Sequence, residues 1–307
     1  MTTTAQNILK TLGYFDLFQY PLTREEIYLF HAKDISVLVL NLELDVLVAD
    51  KLVYKIDNFY SVHNNTALAE RRRKGNLLAG SQLLTARRVA KFLSAFPYVK
   101  AVAVSGSLSK NFATEKTDID FFVITAANRL WIARTCMHLY KKLTFISGKQ
   151  NWFCMNYYVD EEAMEIKEKN IFTAVEIATL VPMQGKTSLD KFTASNNWIN
   201  SFLPLHQPAP APVPEIKPNI FRRLVETVCN GMPGSYIDTQ LMKITKKRWQ
   251  RKTAQGRLNS RGVCMGMLVD RHFSKPDPRN FQQKVVEGYR AKVQELLRQK
   301  NITVSLI

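Results

Sequence analysis

The sequence predicts an α/β protein, α+β overall, in which a mixed sheet flanked by helices stands between a small N-terminal module and a helical C-terminal domain. Three observations lead there. Two apolar, β-rich runs at residues 99–104 and 119–124 enclose a polar stretch and read as neighbouring strands. Apolar residues at helical spacing fill much of the chain on either side. Residues 204–218 hold six of the 12 prolines, which fix φ and remove donors, so this stretch reads as an extended spacer. The resulting segments are 1–65, 66–203, the linker 204–218 and 219–307.

In the first segment, Ile8, Leu9, Leu12, Phe15 and Leu17 mark a helix, and Thr23 stands where it would cap a second. A third helix is expected over about 36–50. Residues 52–56 and 59–62 then flank Asp57-Asn58, a pair suited to a tight hairpin turn. Three helices and a terminal hairpin resemble a winged helix. The third helix carries Glu43, Asp45 and Asp50, whereas a groove-reading helix needs Arg or Lys for phosphates and base edges. A packing or dimerisation role is the alternative to DNA reading. A long helix follows over about 66–96; its Arg71-Arg72-Arg73-Lys74 run could touch phosphates, but such a cluster on a helix is more often a solvated face, and no role is assigned to it.

Composition excludes several classes. With 307 residues, 46% hydrophobic and 22% charged, the chain buries a real core and is neither collagenous nor disordered. Cys136, Cys154, Cys229 and Cys264 form no C-x-x-C pair, which fits a reducing compartment and offers no zinc ribbon. No apolar run reaches the ~18 residues of a membrane span, and a cytoplasmic location is expected. The net charge is +17, and residues 216–307 carry 19 Lys/Arg against 6 Asp/Glu. Such an excess favours polyanions. Trp249 among Lys243, Lys246, Lys247, Arg248, Arg251 and Lys252 suits a nucleic-acid backbone with a stacked base, or a solvated helix whose Trp packs inward. A last helix is expected at about 281–299.

Chemistry concentrates between the two apolar runs. The first ends in Gly106-Ser107, a polar stretch with Lys110 and Lys116 follows, and the second begins Asp118-Ile119-Asp120. Side chains alternate along a strand, so Asp118 and Asp120 are expected on one face with Ile119 buried on the other. Paired carboxylates suit Mg²⁺, which prefers oxygen ligands and leaves positions for substrate phosphates. Gly106 permits close approach of a phosphate, and the Ser107 hydroxyl can hydrogen-bond it.

This pattern resembles the DNA polymerase β-like nucleotidyltransferase superfamily: an apolar strand, Gly-Ser, a gap of about ten residues, then Asp-x-Asp opening a second strand. The resemblance implies a nucleotidyltransferase-like sheet over about 67–203. It implies Asp118 and Asp120 as catalytic metal ligands, Mg²⁺ as cofactor, and Gly106, Ser107 and Lys110 as the nucleotide-binding residues. The implied reaction is attack of an acceptor hydroxyl on the α-phosphorus of a nucleoside triphosphate, releasing pyrophosphate.

Active members add a third carboxylate from a later strand. The strand candidate is 152–159, and at its centre stands Asn156, an amide that carries no charge and is no general base. Asp160 and Glu161, just beyond, are the substitutes if the register differs. Two readings follow: a Mg-dependent nucleotidyltransferase with an unassigned acceptor, or a catalytically degenerate relative that binds nucleotide or nucleic acid as a regulator. His31, His63, His138, His206 and His272 show no metal-ligand spacing, and P-loop, hydrolase-elbow and dinucleotide motifs are absent from the sequence. Amphipathic helices at about 128–145 and 170–181, the latter ended by Pro182, complete the segment.

Overall fold

The computed structural model describes residues 1–144, 152–206, 212–258, 266–276 and 281–298. Residues 207–211 of the proline-rich stretch, Cys264, and the expected helix ends at Phe145 and Gln299 lie outside them.

Helix α1 (Thr3–Asp16) starts where the Thr2 hydroxyl accepts the Ala5 amide, and it buries Ile8, Leu9, Leu12 and Phe15. Strand β1 (Leu22–Thr23) runs into α2 (Arg24–Leu29) through a complete capping box, Thr23 and Glu26 each accepting the other's backbone amide. Helix α3 (Val37–Ala49) is capped by Ser36; it buries Leu40, Leu44 and Leu47 and exposes Leu38, Leu42 and Val46. Strands β2 (Tyr54–Ile56) and β3 (Phe59–Ser61) meet across Asp57-Asn58, with Asp57 at φ +54°, and the small sheet has the order β1-β3-β2.

The arginine run on α4 (Thr66–Leu93) is no solvated face. Arg71 donates to the carbonyls of Gln19 (2.6 Å) and Phe18 (3.3 Å), and Arg73 pairs with Asp57. Arg72, only 2% exposed, reaches Glu26 at 2.6 Å and the Pro21 carbonyl at 2.7 Å, with its guanidinium 3.8 Å from the Tyr20 ring centroid. Three successive arginines thus fasten the N-terminal module to the long helix. The reason is geometric: their partners lie 16 to 53 residues upstream and come together only in the fold.

Beyond α4 come β4 (Val99–Ser105), α5 (Gly106–Ser109), β5 (Asp120–Thr125), α6 (Leu130–Thr144), β6 (Cys154–Asp160), α7 (Ile171–Ala178), β7 (Val181–Gln184) and α8 (Lys186–Ser195). β4 pairs antiparallel with β5 and β7, and β5 pairs parallel with β6. The period of two is plain. Val102, Val104, Phe121 and Val123 enter the core under α4 and α6, while Ala101, Ala103, Phe122 and Ile124 enter a second one against α8. Pro182, expected only as a helix stop, sits inside β7. That strand is at the sheet edge, where a missing N–H is tolerated.

The C-terminal third is helical in α9 (Ile220–Val228), α10 (Gly231–Ala254) and α11 (Phe281–Arg298), and it also supplies β8 (Met267–Val269) and β9 (Phe273–Pro276). β9 pairs antiparallel with β6, giving a six-stranded mixed sheet in the order β7-β4-β5-β6-β9-β8. Helix α11 lies along α1, with Lys292 3.1 Å from Asp16. From α10, Asp238 accepts the amides of Trp131 and Ile132 (both 2.9 Å) at the start of α6; desolvation nevertheless pushes its carboxyl up to about 6. Among the described residues no helix is long and apolar enough to cross a membrane.

Removing one member of a buried ion pair strands the other, at a cost of about 3 kcal/mol. We therefore expect Arg72→Met to lower unfolding stability by that order. Arg73→Ala, which breaks an exposed pair, should cost under about 1 kcal/mol. Equal losses in denaturant titration would contradict the fastening role of Arg72.

Candidate active site

Strand β4 ends at Ser105, whose register partner is Asp120, the first residue of β5. Between them the chain turns at Gly106, with φ +70°. A Cβ placed there would lie 2.7 Å from Asp120 Oδ2, so no side chain fits between turn and carboxylate. Both the positive φ and the contact demand glycine. Ser107 follows, exposed on the one-turn helix α5.

The segment after α5 is held from three sides. Lys110 Nζ donates to the Gly106 carbonyl (3.1 Å) and to Glu176 Oε1 of α7 (2.7 Å). The Tyr20 hydroxyl donates to the Lys110 carbonyl, joining the N-terminal module to the turn. Phe112 lies against Gly75 of α4, where a Cβ would come within 2.3 Å of its ring, and under the guanidinium of Arg71 at 4.5 Å. Lys110, expected to touch nucleotide, is thus already engaged with Glu176.

Asp118 and Ile119 precede β5 rather than opening it. Ile119 is buried with Phe121 on the α4/α6 face, and the aspartates on either side of it are half-buried. Both act on the Cys154 thiol: burial first, then Asp120 and more weakly Asp118, push it up to about 12.

On the neighbouring strand, Asn156 is the extra residue of a bulge. Phe121 pairs with Met155 and Phe122 with Tyr157, and Asn156 falls between. Its Nδ2 donates to Asp120 Oδ1 at 2.5 Å, while its Oδ1 accepts from Cys154 Sγ at 3.1 Å. The side chain at this place is therefore an amide that touches the aspartate. Asp160 does not substitute for it. Asp160 pairs with Thr125 at the far end of β5, five residues or about 17 Å along the strand at ~3.3 Å each. There it is fully buried and accepts from the Asn128 and Glu162 amides and His272 Nδ1. Glu161 meets the Ser188 hydroxyl at 3.2 Å.

Asp120 and Asn156 open onto a cavity of about 290 Å³ between the sheet, α7, β9 and the start of α11. Its walls are mainly apolar, and Glu176, Thr173, Lys275 and Gln282 add polar groups. Sequence reasoning missed Glu176 and Lys275, because nothing in their local spacing tells that α7 and β9 converge on the turn. Asp118 and Ser107 are not among the lining residues. In the basic helix α10, Trp249 is half-buried with Lys252 Nζ 4.8 Å from its ring centroid, and Lys243, Lys246, Lys247, Arg248 and Arg251 are exposed.

Among the described residues no group of three or more His, Cys, Asp and Glu side chains is placed to hold a metal. The donors at the turn are carboxylate oxygens, the Asn156 carbonyl being turned to Cys154, and hard oxygen fits a Mg²⁺-type ion and not a thiophilic one.

A glycine turn between antiparallel strands, with a carboxylate packed on it and a parallel third strand beside it, fits the nucleotidyltransferase-like sheet that the sequence leads one to expect. The comparison with known families agrees: the model described as nucleotidyltransferase domain matches residues 86–193. That part of the chain is a nucleotidyltransferase domain of the DNA polymerase β-like superfamily. No curated protein and no solved structure gives a significant match to the chain.

Gly106→Ala should lose about 1–2 kcal/mol from the positive φ alone, and more from displacing Asp120. Gly80→Ala, on α4 with open space around it, should be neutral or stabilising by up to about 1 kcal/mol. Indistinguishable denaturation midpoints for the two variants would contradict the tight packing of turn on carboxylate.

Proposed function

We propose that the chain transfers a nucleoside monophosphate from a nucleoside triphosphate to a hydroxyl acceptor, with Mg²⁺ held by Asp118 and Asp120. The observation that carries this reading is Gly106 packed on Asp120, which sets a bare backbone turn beside a carboxylate. When bound, the metal would offset the triphosphate charge and favour attack at the α-phosphorus. Gly106 leaves room for phosphate oxygens against the backbone, and the exposed Ser107 hydroxyl hydrogen-bonds them. Lys110, bound to the Gly106 carbonyl and to Glu176, keeps the turn in shape. Asn156 fixes the rotation of the Asp120 carboxylate by its 2.5 Å hydrogen bond.

A second reading has its own support in Asn156. An amide supplies neither charge nor a proton acceptor where active relatives place a carboxylate, which favours a nucleotide-binding protein with slow or no turnover. The basic helix α10 would then be the surface offered to nucleic acid.

Isothermal titration with Mg-ATP and the other triphosphates tests the site, with pyrophosphate release as the second readout. The wild type should bind one of them in a metal-dependent way, and Asp118→Ala/Asp120→Ala should bind at least tenfold more weakly. Asn156→Asp should raise pyrophosphate release at least tenfold if the amide limits turnover. Absence of any metal-dependent nucleotide binding would overturn both readings. Binding without release in wild type, with release gained in Asn156→Asp, would select the second.

A further inference from the structure

We infer that the cavity behind Asp120 is the acceptor pocket, and that the acceptor is a small, uncharged hydroxyl compound with a flat apolar body rather than a nucleic acid. The inference rests on the nucleotidyl transfer proposed above.

Position comes first. Ser107 and Asp118 lie outside the cavity, whereas Ser105, Gly106, Asp120 and Asn156 line it, so the phosphate turn borders it at Gly106. In a phosphoryl transfer the attacking and leaving oxygens stand roughly in line through phosphorus. With the departing pyrophosphate on the Ser107 side, the attacking oxygen must come from the opposite side of the α-phosphate. The cavity, lined by Asp120 and not by Ser107, is the space available to that oxygen. There the acceptor oxygen forms the new bond to the α-phosphorus. The bond from that phosphorus to the α,β-bridging oxygen breaks, its electron pair leaves with pyrophosphate, and the hydroxyl proton passes to solvent.

Shape and chemistry choose the class. About 290 Å³ is at the low end of the range for small-molecule sites, roughly 300–1,000 Å³, and too small for a strand of nucleic acid with its phosphates. The walls are set by Phe122, Phe172, Phe192, Ile177 and Leu180, which favour a flat apolar body. The two lysines near it do not make an anion site, because Lys110 is paired with Glu176 at 2.7 Å and Lys275 with Glu168 at 2.6 Å. A polyanionic acceptor would have to break those pairs in a half-buried setting. Thr173, which lines the cavity, can orient a hydroxyl.

The probe is 2-naphthol, a flat fluorescent hydroxyl compound, titrated into the full chain with and without Mg-ATP. Wild type should bind it saturably, with Mg-ATP bound at the same time and adenosine unable to displace it. Ile177→Trp, which fills the cavity, should weaken naphthol at least tenfold and leave Mg-ATP affinity within twofold. Leu180→Phe serves as the second filling variant if the first does not fold. The proposal is overturned if wild type shows no saturable naphthol binding or if adenosine displaces the probe, which would make this a nucleobase pocket. It is also overturned if the filling variants leave naphthol unchanged or weaken both ligands alike. Naphthol binding without any Mg-ATP binding would instead remove the nucleotidyl-transfer reading, and the acceptor role with it.

Discussion

The arrangement depends on one contact, the approach of Gly106 to the Asp120 carboxylate. Register pairs Ser105 with Asp120, so the turn leaving β4 must pass directly over the first side chain of β5. Any residue with a Cβ would be driven against Oδ2 at 2.7 Å. The left-handed φ that glycine alone adopts cheaply closes the turn and brings backbone and carboxylate to the same place. The proposed transfer would need both there at once, for substrate phosphates and for their cation.

Around that contact the supports come from several parts of the chain. Tyr20 and Phe112 brace the segment after the turn, and the Arg71–Arg73 run ties Tyr20's module to α4. Lys110 bridges turn and α7. The N-terminal module is therefore part of the scaffold of the site. Its third helix, apolar and acidic on its open face, has the wrong charge for a phosphate backbone.

Asn156 stands where the resemblance implies a carboxylate. The β-bulge turns its Nδ2 toward Asp120 and its Oδ1 toward Cys154, so it meets the aspartate as a hydrogen-bond donor without charge. Removing that charge lowers repulsion between neighbouring carboxylates before a cation arrives, and it also removes a group able to take a proton. Asp160, the apparent substitute, is instead a structural acid that binds the β8–β9 hairpin through His272.

Much of this was legible in the sequence because it is local. Gly106-Ser107, the ten-residue gap and Asp118-Ile119-Asp120 announce the turn and its strands, and Thr23 with Glu26 announces a helix start. What sequence could not give is long-range. β8 and β9 are three and four residues long with no clear alternation, and they become strands only by pairing with each other and with β6. The arginine run looked solvated because its partners are far upstream, and Glu176 reaches the site only through the fold. Electron paramagnetic resonance of Mn²⁺, added with ATP to the full chain, tests the central contact most directly. The account predicts that wild type changes the Mn²⁺ signal beyond the loss that ATP alone causes and that Asp120→Asn does not; a signal equal to that of Mn²⁺ with ATP alone, or the same further change in the variant, would contradict it.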